Sequence, residues 1–313
     1  MSSEYKSKFS KSIEDMLEFK TALGHKMKSY KWYFKNFDEF CFNKFPNETI
    51  LTREIALDWC NETKTNKSGY RFHIMREFGK YLVSNGIEAF VIPSILVPKI
   101  KTDLPYILTD EELINFFKAT DNIPHIPQSP LLEYIIPVIF RLQYACGLRP
   151  QEVRLLKVKD IDFKSNLIYI EDSKWRKDRR IIVTDDIMDL CKKYNTIANT
   201  MMPNREYFFP SPQGKAYSHG WLTAKFHYCW DLAGNSNEKG SCVPYDLRHN
   251  FATRTLHNWI SQGLDINAYI PYLSTYMGHA CFSNTFYYIH LLPEKLSNMD
   301  FTKCENVIPE VIN

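Results

Sequence analysis

The sequence contains two arginines, a histidine and a tyrosine whose side chains could together break a phosphodiester bond. They are Arg149, Arg248, His279 and Tyr288, and the tyrosine lies nine residues after the histidine. An arginine can bond two phosphate oxygens at once and stays protonated, so it suits the negative charge that grows during attack. A tyrosine hydroxyl can attack phosphorus and form a covalent phosphotyrosine. Because that bond stores the energy of the broken ester, rejoining would need no ATP.

The order and the flanking residues of these side chains carry more information than any one of them. Singly, an arginine is usually a surface charge, a histidine is usually structural, and the tyrosine is one of nineteen. Jointly, the chain reads Gly-Leu-Arg-x-x-Glu, then Leu-Arg-His-x-Phe-Ala-Thr, then Gly-His and the tyrosine. This pattern resembles the phage-integrase class of tyrosine site-specific recombinases. The motifs lie within about residues 107–300, and the amino-terminal part adds only its length and its helical character.

The resemblance implies a role for each of the four residues. Arg149 and Arg248 would bind the scissile phosphate, and His279 would be the later histidine of the catalytic set. Arg248 is also expected to open a helix, whose amino terminus would favour phosphate. Tyr288 would be the nucleophile. The adjacent Tyr287 is the alternative, but the spacing from the histidine favours Tyr288.

The resemblance also implies a general acid, and the flanking residues suggest two supporting side chains. The family uses a lysine in a β-hairpin turn as the acid. Lys174 occupies the matching turn, and Lys177 is the alternative because turn lengths vary. Glu152 lies three residues after Arg149 and could hold it, or a neighbouring histidine, by a charge-assisted hydrogen bond. His249 is expected to orient its neighbours.

One position departs from the family pattern. Tyr245 lies three residues before the second arginine, where the family usually has histidine or sometimes lysine. A phenol can donate a hydrogen bond to phosphate, but it lacks the charge of an imidazolium. The substitution predicts a reduced rate, an altered pH dependence, or a protein that is losing its catalytic function.

Two domains and a linker are predicted to position these residues. Residues 1–91 have apolar and aromatic side chains at helical spacing, which predicts about four helices in a DNA-binding, core-binding domain. Residues 92–106 contain three prolines, which stiffen the chain, and Lys99 and Lys101, which suit contact with a polyanion. The remainder, 107–313, is predicted to be the catalytic domain.

The catalytic domain is predicted to be mixed. Thr109 and Glu112 form the sequence of a capping box before an apolar run. Residues 131–146 are apolar almost all round, which predicts a buried helix. The β-branched runs at 167–170 and 180–183 predict two strands joined by a charged turn. The expected fold class is therefore mainly α with a small β-sheet or hairpin (α+β).

The resemblance further implies a partner and an assembly. The two domains would clamp double-stranded DNA at specific sites, and the free monomer would form a homotetramer on it, with the tail from about residue 291 docked on a neighbouring subunit. The predicted function is site-specific recombination or integration for a mobile element, through a covalent 3′-phosphotyrosyl intermediate without a metal. The alternatives are a type IB topoisomerase-like or resolvase activity, and a DNA-binding protein with impaired catalysis.

The composition agrees with this class without proving it. The formal net charge is only +3, although residues 1–106 are mildly basic, with 17 Lys and Arg against 13 Asp and Glu. No apolar run approaches the ~20 residues that span a bilayer, and the amino terminus lacks a signal-like apolar core. We therefore expect a cytoplasmic protein without a membrane partner. Eight cysteines without a Cys-x-x-Cys pair predict reduced, buried thiols, and no metal or cofactor is expected.

Overall fold

The chain divides into two compact units, Met1–Asp103 and Leu104–Asn313. The computed structural model describes residues 4–25, 27–62, 68–98, 104–171, 178–235, 242–279 and 285–288. Lys99 and Lys101 of the predicted linker lie outside these ranges. The assignment of the units as a core-binding domain and a catalytic domain stays a prediction.

The first unit is helical and has an aromatic core. Its helices are α1 (Ser10–Ala22), α2 (Lys28–Lys44), α3 (Arg53–Asn61) and α4 (Ser68–Ser84), and a 3-10 turn follows at Ser94–Leu96. Thr52 caps α3, because its hydroxyl accepts a hydrogen bond from the amide of Ile55. Phe37 lies at the centre, with edge-on ring contacts to Trp59 and Phe78. The predicted four-helix pattern is confirmed for the part of this unit that is described.

The second unit combines helices with a small sheet. Its helices are α5 (Asp110–Asp121), α6 (Leu132–Ala145), α7 (Pro150–Arg154), α8 (Asp185–Met201), α9 (His219–Leu232), α10 (Pro244–Ser261) and α11 (Ile266–Met277), with a 3-10 helix at Val158–Asp160. Its strands are β1 (Ile161–Asp162), β2 (Leu167–Ile170) and β3 (Arg179–Ile182). A further helical turn covers residues 285–288. The predicted fold class, mainly α with a small sheet, is confirmed.

The three strands form an antiparallel sheet with β2 in the middle. Ile168 pairs with Ile161 on one side and with Ile181 on the other, and all three side chains are buried. This face therefore joins the core of the unit. The charged turn that the sequence predicts between β2 and β3, with Lys174 and Lys177, falls on residues 172–177, which lie outside the described ranges.

Helix α6 carries the core to the beginning of the candidate site. It is buried along nearly its whole length, as its continuous apolar sequence predicts. The chain then turns at Gly147, whose φ of 57° lies in the left-handed region. A Cβ at this position would lie 2.9 Å from Cε1 of Phe251, so the glycine also permits close packing. Two residues later, Arg149 forms the N-cap of α7.

The segment that enters the second unit is fastened to α10. The backbone amide of Leu108 donates to Asn250 Oδ1 at 2.9 Å, and Asn250 Nδ2 donates to the carbonyl of Tyr106 at 3.1 Å. Thr109 and Glu112 then form the predicted capping box at the start of α5. These bonds hold α10 and α5 in a fixed relation within the unit.

Two expectations from composition can be compared with the structure. Six cysteines in the described ranges are free and buried, in agreement with the expectation of reduced thiols. None of the helices in those ranges has both the length and the apolar character needed to cross a bilayer.

Replacing Gly147 by Ala should destabilise the second unit by roughly 2–4 kcal/mol, because left-handed strain and the clash with Phe251 add together. The measurement is the thermal unfolding midpoint of the full chain. The matched control is Gly263→Ala: Gly263 also has a positive φ, 72°, but no described atom lies within 4 Å of the place where an alanine Cβ would stand. Equal losses of stability in both variants would contradict the packing argument.

Candidate active site

Arg248 lies in the second turn of α10 and is fully buried. Its Nη1 donates to the carbonyl of Gly147 at 2.6 Å and its Nη2 to the carbonyl of Met277 at 2.7 Å. Burial, and then the charge of Arg149, lower the pKa of Arg248 to about 10, so the guanidinium stays charged at neutral pH. The side chain thus brings a fixed positive charge to the ends of α6 and α11.

The expectation that Arg248 opens a helix is wrong. Helix α10 begins at Pro244, four residues earlier, because proline suits the first helical position. Asp246 also occupies the helix start, since its Oδ2 accepts the amide of Val243 at 2.8 Å. Any contact of Arg248 with a phosphate would therefore be made by its side chain and not by free amides at a helix terminus.

Glu152 is a buried carboxylate between two arginines. It accepts hydrogen bonds from Arg149 Nη1 at 2.6 Å and from the Arg149 backbone amide at 2.9 Å. It also accepts both Nη groups of Arg179, each at 2.9 Å. Burial alone would raise the pKa of Glu152, but the hydrogen bonds and charge of Arg179, followed by the charge of Arg149, hold it at about 2.

The predicted role of Glu152 as a partner of Arg149 agrees with this geometry, and no histidine of the described residues hydrogen-bonds to its carboxylate. The second partner is Arg179, which the sequence pattern did not single out. Arg179 also donates Nε to the carbonyl of Tyr276 at 2.8 Å. The sequence did contain a sign that the Arg179 side chain faces inward. Side chains alternate between the two faces of a strand, so Arg179 shares a face of β3 with the buried Ile181.

Gly278 joins these arginines at the end of α11. Its φ is 66°, and its carbonyl accepts Arg149 Nη2 at 2.6 Å. A Cβ at this position would lie 2.9 Å from Arg179 Nη1. Only glycine therefore fits both the left-handed backbone and the closeness of the two guanidinium groups.

His279 follows this glycine and faces Tyr288. Its Nδ1 is 2.7 Å from Thr285 Oγ1, and its ring lies nearly parallel to the ring of Tyr288, with centroids 6.1 Å apart. Burial lowers the pKa of His279 to about 3, and the charges of Arg248 and Arg149 add to the effect. His279 is therefore neutral at physiological pH while the site carries no added negative charge.

Tyr288 points into the site and Tyr287 does not. The side chain of Tyr288 is 3% exposed, whereas that of Tyr287 is 38% exposed. The Tyr288 hydroxyl lies 3.0 Å from His249 Nδ1. Burial raises the pKa of Tyr288 to about 12, although the positive charge of Arg248 opposes this shift. The geometry favours Tyr288 as the nucleophile, as the spacing predicts.

Tyr245 lies at the edge of the site. It is 38% exposed, and its ring packs against His249 with centroids 5.0 Å apart. The two residues are one helical turn apart on α10. A direct contact of Tyr245 with phosphate stays a prediction.

Comparison with known proteins decides the class of this site. Residues 107–295 match the sequence model of the phage integrase family. The chain belongs to this family. It is a tyrosine recombinase, and membership of this family supports site-specific recombination as its activity.

Relatives and solved structures extend the similarity of the recombinase beyond the matched residues. The y4rE protein of Sinorhizobium fredii is 26% identical over 282 residues, which cover 88% of this chain and 90% of y4rE. Tyrosine recombinase XerC of Chlamydia caviae is 26% identical, with 81% and 76% coverage. The fold is similar to XerH recombinase bound to a palindromic difH substrate, with a TM-score of 0.63, 18% identity and coverage of 91% and 82%. It is also similar to a lambda integrase dimer bound to a COC′ core site, with a TM-score of 0.61, 16% identity and coverage of 89% and 94%.

The structure brings together most of the predicted site residues of the recombinase. Arg149, Glu152, Arg248, His249, His279 and Tyr288 surround one site, with Tyr245 at its edge. Lys174 and Lys177, the two candidates for the general acid, lie outside the described residues. The same is true of the tail from residue 291.

Replacing Glu152 by Gln should lower the free energy of unfolding at pH 7 by about 3 kcal/mol, since the pKa of this carboxyl falls from 4.5 to about 2 on folding. A lowered pKa contributes stability that is fully present above about pH 4.5 and is lost as the pH falls through about 2. The difference in unfolding free energy between variant and wild type should therefore become smaller as the pH falls from about 4.5 towards 2. Urea unfolding at pH 7 and at steps down to pH 3 measures it. The exposed Glu111→Gln is the control, and a pH-independent difference would contradict the argument.

Proposed function

We propose that this recombinase cuts and rejoins double-stranded DNA at specific sites for a mobile element, through a covalent 3′-phosphotyrosyl intermediate. The observation that carries the proposal is the position of the buried Tyr288 hydroxyl, which lies 3.0 Å from His249 Nδ1 and in the field of Arg248, itself close to the charge of Arg149. Arg248 and Arg149 are each fixed by backbone carbonyls and carry permanent charge. Fixed donors aimed at a phosphate stabilise the charge that develops during attack and need no reorganisation.

The chemistry proposed for this site is a direct transesterification. The Tyr288 oxygen attacks phosphorus, the bond from phosphorus to the 5′ oxygen breaks, and a proton reaches the leaving oxygen. Lys174 is the proposed general acid, with Lys177 as the alternative. Arg149 and Arg248 supply the charge stabilisation that a metal ion supplies in other phosphoryl-transfer sites, so we propose a metal-free reaction. Rejoining is the same step in reverse.

The proposed partner is duplex DNA bound by a tetramer. Similar folds have been solved on DNA, including a lambda integrase tetramer bound to a Holliday junction and a Tn1549 transposon integrase in complex with a circular intermediate DNA. We extend the DNA partner and the tetramer to this chain. Lys99 and Lys101 would contact phosphates between the two domains, and the tail from residue 291 would dock on a neighbouring subunit. The affinity would then fall steeply with salt.

Tyr245 favours a second candidate function, DNA binding with impaired catalysis. An imidazolium at this position would add positive charge near the phosphate, and a phenol does not. A chain that binds its site but does not cut it would fit this departure. The two candidates differ in whether a covalent adduct forms.

A nicked suicide duplex separates the candidates. With DNA that flanks the gene, the wild type should form a covalent protein–DNA adduct, visible as a band of reduced mobility on a denaturing gel. Specific binding without an adduct would support the impaired protein. Relaxation of supercoiled DNA that lacks the site would instead support a topoisomerase-like activity.

Replacing Tyr288 by Phe should abolish the adduct, since it removes the attacking oxygen and keeps the buried ring. The matched variant is Tyr287→Phe at the exposed neighbour, which should still form the adduct at a rate within about threefold of wild type. Both variants should bind the duplex as tightly as wild type, as measured by gel shift. An adduct that persists in Tyr288→Phe and disappears in Tyr287→Phe would reverse the assignment of the nucleophile.

A further inference from the structure

His249 touches the atom that would attack DNA. Its Nδ1 lies 3.0 Å from the Tyr288 hydroxyl, within hydrogen-bond distance, and the two ring centroids are 5.5 Å apart. We infer that His249 is the general base that takes the proton of Tyr288 during cleavage and returns it during rejoining. This inference rests on the proposed function and goes beyond the orienting role that the sequence suggests.

The position of His249 is fixed by its surroundings. It lies in the second turn of α10, where its carbonyl accepts a hydrogen bond from the Thr253 hydroxyl at 2.9 Å. The ring of Tyr245 packs on one side of it, and the ring of Tyr288 lies on another. The imidazole therefore meets the nucleophile along one defined direction, which a general base requires.

Two other basic groups of the site make hydrogen bonds to other partners. His279 Nδ1 contacts the hydroxyl of Thr285, and its ring lies alongside the ring of Tyr288. The carboxylate of Glu152 accepts from Arg149 and Arg179. Among the described side chains, His249 is thus the acceptor placed at the Tyr288 hydroxyl.

The electrostatics of the site agree with this geometry. Burial raises the pKa of Tyr288 to about 12, so roughly one molecule in 10⁵ would hold a phenolate at pH 7 without help. Burial and the charge of Arg248 lower the pKa of His249 to about 4, which keeps its imidazole neutral and able to accept a proton. A phosphate bound between the arginines would offset their charge and raise the basicity of His249 at the moment of attack.

The proton balance of the proposed step is complete. The Oη–H bond of Tyr288 breaks and its proton moves to His249 Nδ1, while the Oη–phosphorus bond forms. The bond from phosphorus to the 5′ oxygen breaks, and that oxygen receives a different proton from the general acid. In rejoining, the imidazolium of His249 returns its proton to the departing Tyr288 oxygen.

The test is single-turnover cleavage of the nicked suicide duplex by the full chain. His249→Ala and His249→Asn should both cleave about 10²–10⁴-fold more slowly than wild type, with unchanged binding by gel shift. Asn can place an oxygen near the position of Nδ1 and accept the Tyr288 hydrogen bond, but it cannot hold the proton. His257→Ala, on the same helix, is the control and should cleave like wild type. Thermal unfolding checks that each variant is folded.

A second measurement separates the base from other roles. The rate of wild-type cleavage should fall as the pH drops and His249 becomes protonated. This acidic limb of the pH–rate profile should be absent from His249→Asn. The groups that face His249 or share its electrostatic environment are Tyr245, Arg248, Tyr288 and His279. The same pH–rate profile is therefore recorded for Tyr245→Phe, which should keep the acidic limb. A substrate with a 5′ sulfur leaving group, which needs no acid, should not rescue His249→Ala.

Each result decides one point. Normal cleavage by His249→Ala, or recovery of the rate in His249→Asn, would overturn the inference, the second in favour of simple positioning. Rescue by the 5′ sulfur would also overturn it, since His249 would then act on the leaving group. In all these cases the wild-type adduct would leave the proposed function intact. A wild type that binds DNA but forms no adduct would overturn the proposed function itself.

Discussion

The buried carboxylate of Glu152 is the interaction on which the site depends. An isolated carboxylate in this position would be costly, but here two guanidinium groups and a backbone amide surround it. Through Arg149 and Arg179 it links the start of α7, the first residue of β3 and the end of α11. Loss of the carboxylate would leave two buried positive charges side by side. The same ion cluster therefore holds the fold together and aims Arg149.

Arg248, like Arg149, is a positive charge that both stabilises the fold and lies in the candidate site. Its two carbonyl partners, at Gly147 and Met277, belong to the ends of α6 and α11, which are far apart in the chain. A carbonyl neutralises only part of the charge of a guanidinium, so the group keeps an electrostatic attraction for an anion. In the proposed function, the guanidinium that holds these two helix ends together would also attract the phosphate. If the proposed function holds, changes at either arginine will affect both stability and catalysis, and separate measurements of unfolding and of cleavage are needed to distinguish the two effects.

The environment of Tyr288 contains an imidazole next to Tyr245, the position that departs from the family pattern. The phenol of Tyr245 lies at the edge of the site, and the imidazole of His249, one helical turn later, contacts the hydroxyl of Tyr288, the proposed nucleophile. A helix places residues four apart on the same face, so α10 can present His249 to the region that it also exposes at Tyr245. An imidazole therefore lies beside the Tyr288 hydroxyl even though position 245 is not a histidine.

The sequence by itself determined the residue types, their joint spacing, the helical and hairpin segments, and local contacts such as the capping box of Thr109 and Glu112. Local sequence was sufficient there because those features depend on neighbours within a few residues. Tertiary structure alone decided that Arg179 shares Glu152, that Gly278 receives Arg149, and that His249 meets Tyr288. These contacts join residues 27, 129 and 39 positions apart, and they depend on how helices and strands pack. Spacing along the chain could identify the candidate reacting groups, but only packing could assign their partners.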